Sequence, residues 1–126
     1  MARHNLIGKW GEDIAAEFLI TKGYTIIERN WRIGNLEADI IATKGDRIIF
    51  IEVKTRSSEY ADPLDAIDRR RQLRMVKIAN IYIRSKRLKF SYQFDYVLIV
   101  GSPETHQDPK IEHIPDAFLA PLKTYR

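Results

Sequence analysis

The chain has 126 residues, of which 44% are hydrophobic and 30% charged, a composition that fits one globular domain rather than a disordered or fibrous chain. It has no cysteine, which excludes disulfide scaffolds and thiolate metal sites and fits a reducing compartment. The net charge of +4 indicates only a modest preference for polyanions. Because neither a signal peptide nor an uncharged run long enough to span a membrane is evident, we expect a cytoplasmic protein with no membrane partner.

The first predicted element is an amphipathic helix over residues 6–22, followed by a strand over residues 24–33. The helix places its apolar side chains on one arc, and Gly23 marks its end. Glu12 lies at the rim of that arc. Its carboxylate could reach a site on a sheet beneath the helix or could simply point to water, and the periodicity leaves both interpretations open.

Residues 37–56 predict a β-hairpin in which Gly45-Asp46 is the two-residue turn. A turn at that position pairs Asp39 with Glu52 and Glu37 with Lys54. The period of two then puts four charged residues on one face of the hairpin: Glu37, Asp39, Glu52 and Lys54. It puts four apolar residues on the other face: Ala38, Ile40, Ile51 and Val53.

The two opposed acids of the hairpin are the strongest functional signal. Two carboxylates that face each other across a sheet repel unless a positive charge lies between them. A hard divalent cation would resolve the conflict between Asp39 and Glu52, with Lys54 as a neighbouring cationic donor. The alternative is a solvated hairpin face. We favour a site because Ile41, Ile48 and Phe50 continue the same face, although a slip of one residue would separate the acids.

A second helix is predicted over residues 62–85, with Asp62 as its N-cap and Pro63 at its first position. Its apolar arc extends back to Arg71 and Gln72, which would either close over the carboxylates or lie in water beyond the sheet. Four cations lie off this arc: Arg69, Arg70, Arg74 and Lys77. They form either a solvated face or a surface that binds phosphates.

The remaining elements complete an α/β domain. Residues 90–100 predict a strand that carries Asp95 on the same face as Val97 and Ile99. A loop, a short edge strand and a tail follow at residues 101–109, 111–114 and 115–126. The three histidines lack the spacing of a metal or nucleophile motif, so we assign them no chemistry. We therefore predict one domain over residues 1–126, with a core at about 5–100 in the order α-β-β-β-α-β and a mixed sheet flanked by helices.

The acid on one strand and the Glu-x-Lys on the next resemble the PD-(D/E)xK motif of restriction-endonuclease-like nucleases. More closely, residues 4–100 resemble the YraN-type family, small bacterial proteins predicted to be endonucleases and similar to archaeal Holliday-junction resolvases. Six segments carry the resemblance: Gly11-Glu12 with Ala15 or Ala16 on the first helix, Arg29-Asn30-Trp31-Arg32, Glu37-Ala38-Asp39, Glu52-Val53-Lys54-Thr55-Arg56, the predicted helix from Ala66 to Tyr82, and Phe94-Asp95-Tyr96-Val97. The chain departs from the family pattern at Leu36, where glycine is usual, and at Arg71, where lysine is common.

The resemblance implies a restriction-endonuclease-like fold and Mg²⁺- or Mn²⁺-dependent hydrolysis of DNA, with branched or structured DNA as the expected substrate. Asp39, Glu52 and the backbone carbonyl of Val53 would hold the ion. Lys54 would position or polarise the attacking water, and Glu12 would add a carboxylate from the first helix.

The DNA would be contacted by a second set of residues: Arg56, Arg70, Arg71, Gln72 and Arg74. A homodimer would suit a substrate with two symmetric strands, but no stretch of sequence identifies an interface. The alternative function is a non-catalytic module that binds nucleic acid or a partner and keeps the nuclease fold.

Overall fold

The computed structural model describes residues 3–57, 68–87 and 91–118. The elements in these ranges are α1 (Arg3–Thr21), β1 (Thr25–Ile33), β2 (Leu36–Lys44), β3 (Arg47–Arg56), α2 (Arg69–Lys86), β4 (Ser91–Val100) and β5 (Lys110–Ile114). The predicted order of helices and strands is confirmed, including the short edge strand near the end of the described chain.

The five strands form one mixed sheet in the order β1-β2-β3-β4-β5. β3 and β4 are parallel, whereas the other neighbours are antiparallel. Parallel neighbours need a crossover connection, and α2 lies in the chain between them. The α/β class and the restriction-endonuclease-like arrangement predicted from the sequence are therefore confirmed.

Each helix packs on its own face of the sheet. On the α1 face, the core includes Ala15, Leu19, Ile40, Ile51 and Val97. On the α2 face, it includes Ala38, Phe50, Met75, Phe94 and Tyr96. In the described part of the chain, no helix is long and apolar enough to cross a membrane.

The predicted hairpin has the predicted register through its paired region. Gly45 adopts a φ of 61° in the turn, a backbone conformation that glycine takes without strain. The Cα partners run from Lys44–Arg47 to Ile40–Ile51, where the pairing of β2 with β3 ends. The sequence prediction was therefore wrong in extending the pairing to Asp39–Glu52 and Glu37–Lys54.

The alternation of faces also breaks at Asp39. Ile40 packs in the α1 core, whereas Ala38, two residues earlier, packs in the α2 core. The prediction that these two side chains share a face was therefore wrong. On the neighbouring strand, Asn30 has a left-handed φ of 53° between the paired residues Arg29–Ile40 and Trp31–Ala38. Both strands are thus irregular at the same level of the sheet.

The second helix begins later than the sequence indicated. The predicted start at Asp62-Pro63 lies outside the described residues, but α2 itself begins at Arg69. Its N-cap is Asp68, which has an extended backbone and whose side chain accepts a hydrogen bond from the Arg71 N–H at 2.8 Å. A helix cannot run continuously through an extended N-cap residue, so the predicted start was wrong for this helix.

Candidate functional site

Asp39 is held where β2 and β3 separate. The backbone N–H of Val53 donates to Oδ2 of Asp39 at 2.9 Å. A side chain of β2 thus accepts a hydrogen bond from the backbone of β3 just beyond the last paired residues. The pKa of Asp39 is raised to about 7, mainly by burial and further by the nearby carboxylates of Glu12, Glu52 and Glu37. The hydrogen bond from Val53 lowers this pKa but does not outweigh the rise. Negative charge is therefore unfavourable at this position in the protein alone.

Glu52 lies on the α2 face of β3 and pairs in the parallel ladder with Tyr96 of β4. The two side chains form a hydrogen bond, and burial together with Glu52 raises the pKa of the Tyr96 phenol. The Oε2 atom of Glu52 is buried and has no hydrogen-bond partner within the described residues. Because Oε2 is unpartnered, the oxygen that accepts from Tyr96 is Oε1.

A small cavity joins the two acids. It has a volume of about 20 Å³ and is lined by Glu37, Asp39 and Glu52 together with Phe50, Met75 and Ile78. A space of this size holds about one water-sized group. Met75 and Ile78 of α2 supply part of its apolar lining, and apolar surroundings strengthen electrostatic interactions within a site.

Glu12 reaches the same region from α1. Its side chain is 20% exposed, hydrogen-bonds Asn30 and lies 4.0 Å from the Arg29 guanidinium. Burial raises the pKa of Glu12, while Asn30 and Arg29 oppose the rise. Glu12 and Lys54 both line an open groove of about 370 Å³ on this side of the sheet. Of the two interpretations that the sequence left open for Glu12, the structure favours contact with the sheet, because Glu12 hydrogen-bonds Asn30 of β1.

Gly11 sets the distance between α1 and β3. A Cβ at this position would overlap the hydroxyl oxygen of Thr55, so only glycine lets the helix lie this close to the strand. Gly8, one turn earlier, has no atom within 4 Å of an added Cβ. Close packing at Gly11 thus fixes the level at which the next residue, Glu12, meets the end of the hairpin.

The acids fit a hard divalent cation by two observations. Glu52 presents a buried oxygen that has no partner among the described residues, and burial, with added repulsion from neighbouring carboxylates, raises the pKa of Asp39. Within the described ranges, no three His, Asp or Glu side chains come together closely enough to hold a metal ion. Mg²⁺ does not require such a cage, because it is commonly bound through one or two carboxylates and completes its octahedral shell with water and phosphate oxygens.

Comparison with known proteins identifies relatives over nearly the whole chain. Residues 11–99 match the model of the uncharacterised protein family UPF0102. A UPF0102 protein of Bacteroides fragilis is 42% identical over 123 residues, covering 97% of this chain and 99% of the relative. A UPF0102 protein of Dictyoglomus turgidum is 42% identical over 114 residues, covering 89% and 96%. The chain belongs to the UPF0102 family, the YraN type.

The region that matches UPF0102 contains the acids and Lys54 described above. The predicted DNA-contacting residues of this family member fall into two groups. Arg70 and Arg74 are exposed on α2, whereas Arg56, Arg71 and Gln72 are half-buried. Arg71 lies 3.8 Å from Asp68, within ion-pair distance. Their contacts with DNA remain predictions.

Sequence reasoning missed two residues that hold the acids of this UPF0102 protein. Asn30 binds Glu12, and Tyr96 binds Glu52. Both residues lie within segments that carry the family resemblance, but neither has a charge or spacing that indicates a role. One feature of the sequence could have indicated Asn30: asparagine tolerates the left-handed conformation that the strand adopts at this position.

Asp95 was left without a role by the sequence, and the structure shows a buried network around it. It is fully buried, and its oxygens accept from Tyr24 at 2.5 Å, from Gln93 at 2.8 Å and from the backbone N–H of Asp116 at 2.9 Å, with Nε2 of His113 at 2.8 Å. Burial raises the pKa of Asp95, but these hydrogen bonds outweigh it and hold the pKa below the usual value. Asp95 thus joins β4 to β5 and to Tyr24, the residue just before β1, and has a structural role.

Proposed function

We propose that this protein is a metal-dependent endonuclease that hydrolyses phosphodiester bonds of DNA, with branched or structured DNA as its substrate. One observation carries the proposal: Glu52, whose Oε2 is buried without a partner among the described residues, lines a small cavity together with Asp39, whose pKa is raised to about 7. A fold gains nothing from placing two acids in this way, and such conflicts are typical of functional sites.

Asp39 and Glu52 would hold Mg²⁺ or Mn²⁺, with the Val53 carbonyl as a third oxygen donor. The bound ion would supply Lewis-acid stabilisation of the negative charge that grows on the phosphate. The free oxygens and the Val53 carbonyl are hard donors, which suit these ions. The mutual repulsion of the acids would also be relieved when a cation binds.

The remaining site residues would act on the water and the phosphate. Lys54 lines the groove with Glu12, and its positive charge would orient the attacking water and stabilise developing negative charge. Glu12 lines the same groove and would accept a hydrogen bond from that water. Arg56, Arg71 and Gln72 would contact the scissile phosphate, and the exposed Arg70 and Arg74 would bind phosphates further along the DNA.

The substrate, location and assembly follow from this proposal. The choice of branched or structured DNA is supported by the family resemblance and is an argument by analogy. A DNA substrate and the absence of cysteine both fit a cytoplasmic location. A homodimer would bring two sites to the two strands of a symmetric substrate.

The proposal is tested by cleavage of duplex, single-stranded and four-way-junction DNA with Mg²⁺ or Mn²⁺. We expect cleavage that stops with a chelator and in Glu52→Gln, which keeps the size of the side chain but removes its charge. Equal cleavage by parent and variant would show contamination and would refute the assignment. Calorimetric titration should show that Mn²⁺ binding is lost in Asp39→Asn, whereas undiminished binding would refute the ligand assignment.

A non-catalytic DNA-binding module is the second candidate. It is favoured by the absence, among the described residues, of a cluster of three acidic or histidine side chains around the cavity. In that case the protein would bind the same DNA panel without cutting it, and Glu52→Gln would bind as tightly as the parent.

A further inference from the structure

Tyr96 stands out among the buried side chains because its hydroxyl binds a carboxylate of the proposed metal site. It is 3% exposed and sits directly beside Glu52 in the parallel β3–β4 ladder. Its ring belongs to the core between the sheet and α2. Packing in this core restricts the ring, so its hydroxyl can hold a partner with little further loss of side-chain freedom.

The two acids of the site are tied to the protein in the same way. One oxygen of each carboxylate is occupied, Oδ2 of Asp39 by the Val53 N–H and Oε1 of Glu52 by the Tyr96 hydroxyl. The second oxygen of Glu52 is buried without a partner in the described residues. Each acid therefore has one tethered oxygen, and the untethered Glu52 oxygen belongs to a side chain that lines the cavity.

We propose that Tyr96 is a positioning residue of the metal site: by holding Oε1, it makes Glu52 present Oε2 alone to the ion. This inference rests on the proposed function. Single oxygens from two carboxylates suit ions with octahedral shells, such as Mg²⁺ and Mn²⁺. Ca²⁺ accepts six to eight oxygens in flexible geometry and often takes both oxygens of one carboxylate. Tyr96 therefore contributes to selection of the smaller ions.

The test compares Tyr96→Phe with Tyr82→Phe in the full chain. Tyr82 is a matched control because it is equally buried in the same core and its hydroxyl donates to Glu28 at 3.1 Å, but Glu28, unlike Glu52, does not line the cavity. Each variant keeps the ring and removes one buried hydroxyl bound to a glutamate. Calorimetric titrations with Mn²⁺ and with Ca²⁺, and a thermal melt of each protein without metal, give the readouts.

We expect both variants to lose a similar, small amount of Tm, because each loses one buried hydrogen bond. Only Tyr96→Phe should bind Mn²⁺ more weakly, by roughly tenfold, as is usual when a residue that orients a metal ligand is removed. Its affinity for Ca²⁺ should not fall, because a released Glu52 can offer both oxygens. The preference for Mn²⁺ over Ca²⁺ would then fall about tenfold, a change that loss of stability alone does not produce.

Three results would overturn the inference. The first is parental Mn²⁺ affinity in Tyr96→Phe, and the second is an equal loss of Mn²⁺ and Ca²⁺ affinity. Both leave the proposed function intact, since the parent still binds Mn²⁺. The third is a parent protein that binds no Mn²⁺, which would refute the proposed metal site together with the role of Tyr96.

Discussion

The backbone N–H of Val53 donates to the carboxylate of Asp39 at 2.9 Å, immediately beyond the last Cα partners of β2 and β3, Ile40 and Ile51. The Asp39 side chain thus accepts a hydrogen bond from the backbone of β3 where β2 and β3 separate. The separation opens the small cavity between the sheet and α2. The same hydrogen bond fixes one oxygen of Asp39, so the orientation of the acid is determined by the backbone of β3.

Asp39→Asn is expected to stabilise the metal-free protein at pH 8. The Asp39 pKa is about 7 in the folded protein, above its ordinary value of 3.8, so the folded state binds the proton more tightly. The parent should therefore lose stability as the pH rises from about 4 to about 7 and then level off. Asparagine still accepts from Val53 but carries no charge. We expect a gain of roughly 1–2 kcal/mol at pH 8 and almost none at pH 4, measured by urea unfolding.

Asp13→Asn is the control for this prediction. Asp13 lies on the surface, where its hydrogen bond with Arg29 outweighs slight burial and lowers its pKa. Its replacement should produce no gain at pH 8. If Asp39→Asn were no more stable than the parent at pH 8, the acid would not be under electrostatic strain. Addition of Mn²⁺ should stabilise the parent and not Asp39→Asn.

The hairpin was predictable because its determinants are local. Gly45-Asp46 defines the turn, and the alternation of apolar residues on both sides of it fixes the register. The end of the pairing was not predictable, because it depends on a second strand that is irregular at Asn30 and on a hydrogen bond between Asp39 and Val53. The sequence thus predicted that the two acids lie near each other, as the shared cavity shows, but their predicted direct pairing is not found.

Gly11→Ala is expected to destabilise the protein, whereas Gly8→Ala should stabilise it. The new methyl group at Gly11 overlaps the Thr55 hydroxyl, which forces α1 away from β3 at an expected cost of roughly 1–3 kcal/mol. At Gly8 the methyl group enters open space, so the higher helix propensity of alanine should contribute about 0.5–1 kcal/mol. Chemical unfolding of the two variants measures both effects.

A double variant identifies the cause of the Gly11 effect. Thr55→Ala removes the hydroxyl that the new methyl group meets. Gly11→Ala should therefore cost less stability when it is introduced into Thr55→Ala than when it is introduced into the parent. Simple additivity of the two losses would mean that the helix and strand do not clash at this point.

Asp95→Asn is expected to destabilise the protein by roughly 2–4 kcal/mol at pH 7, because an amide presents a donor where the carboxylate accepts on both oxygens. The lowered pKa of Asp95 gives a second signature. The ionised Asp95 contributes stability above the ordinary aspartate pKa, and this contribution is lost as the pH falls through the lowered pKa of the folded protein. The free energies of unfolding of parent and variant should therefore become more similar in acid. Asp46→Asn, in the exposed turn, serves as the control and should leave unfolding nearly unchanged.

The Asp95 network shows why the sequence could predict that Asp39 and Glu52 are neighbours but could not predict the partners of Asp95. Asp39 and Glu52 are 13 residues apart in one hairpin, so the position of the turn is enough to predict that they lie near each other. Tyr24 and Asp95 are 71 residues apart, and His113 comes from the far edge strand. Sequence periodicity put Asp95 on the face with Val97 and Ile99, as found, but it cannot identify partners that only the strand order brings together.

Replacing Arg70 and Arg74 together with glutamine is expected to weaken DNA binding and to flatten its dependence on salt. Both side chains are exposed on α2, the helix that covers the cavity. Each phosphate contact that is lost lowers the slope of log K against log salt by about 0.9, so the double variant should reduce it by about 2. Arg84→Gln with Lys86→Gln makes the same charge change at the other end of α2 and should keep the parental slope. Fluorescence anisotropy with a labelled four-way junction at several salt concentrations gives both slopes. Equal slopes in the parent and the Arg70 and Arg74 variant would show that these two cations form a solvated face and do not bind phosphates.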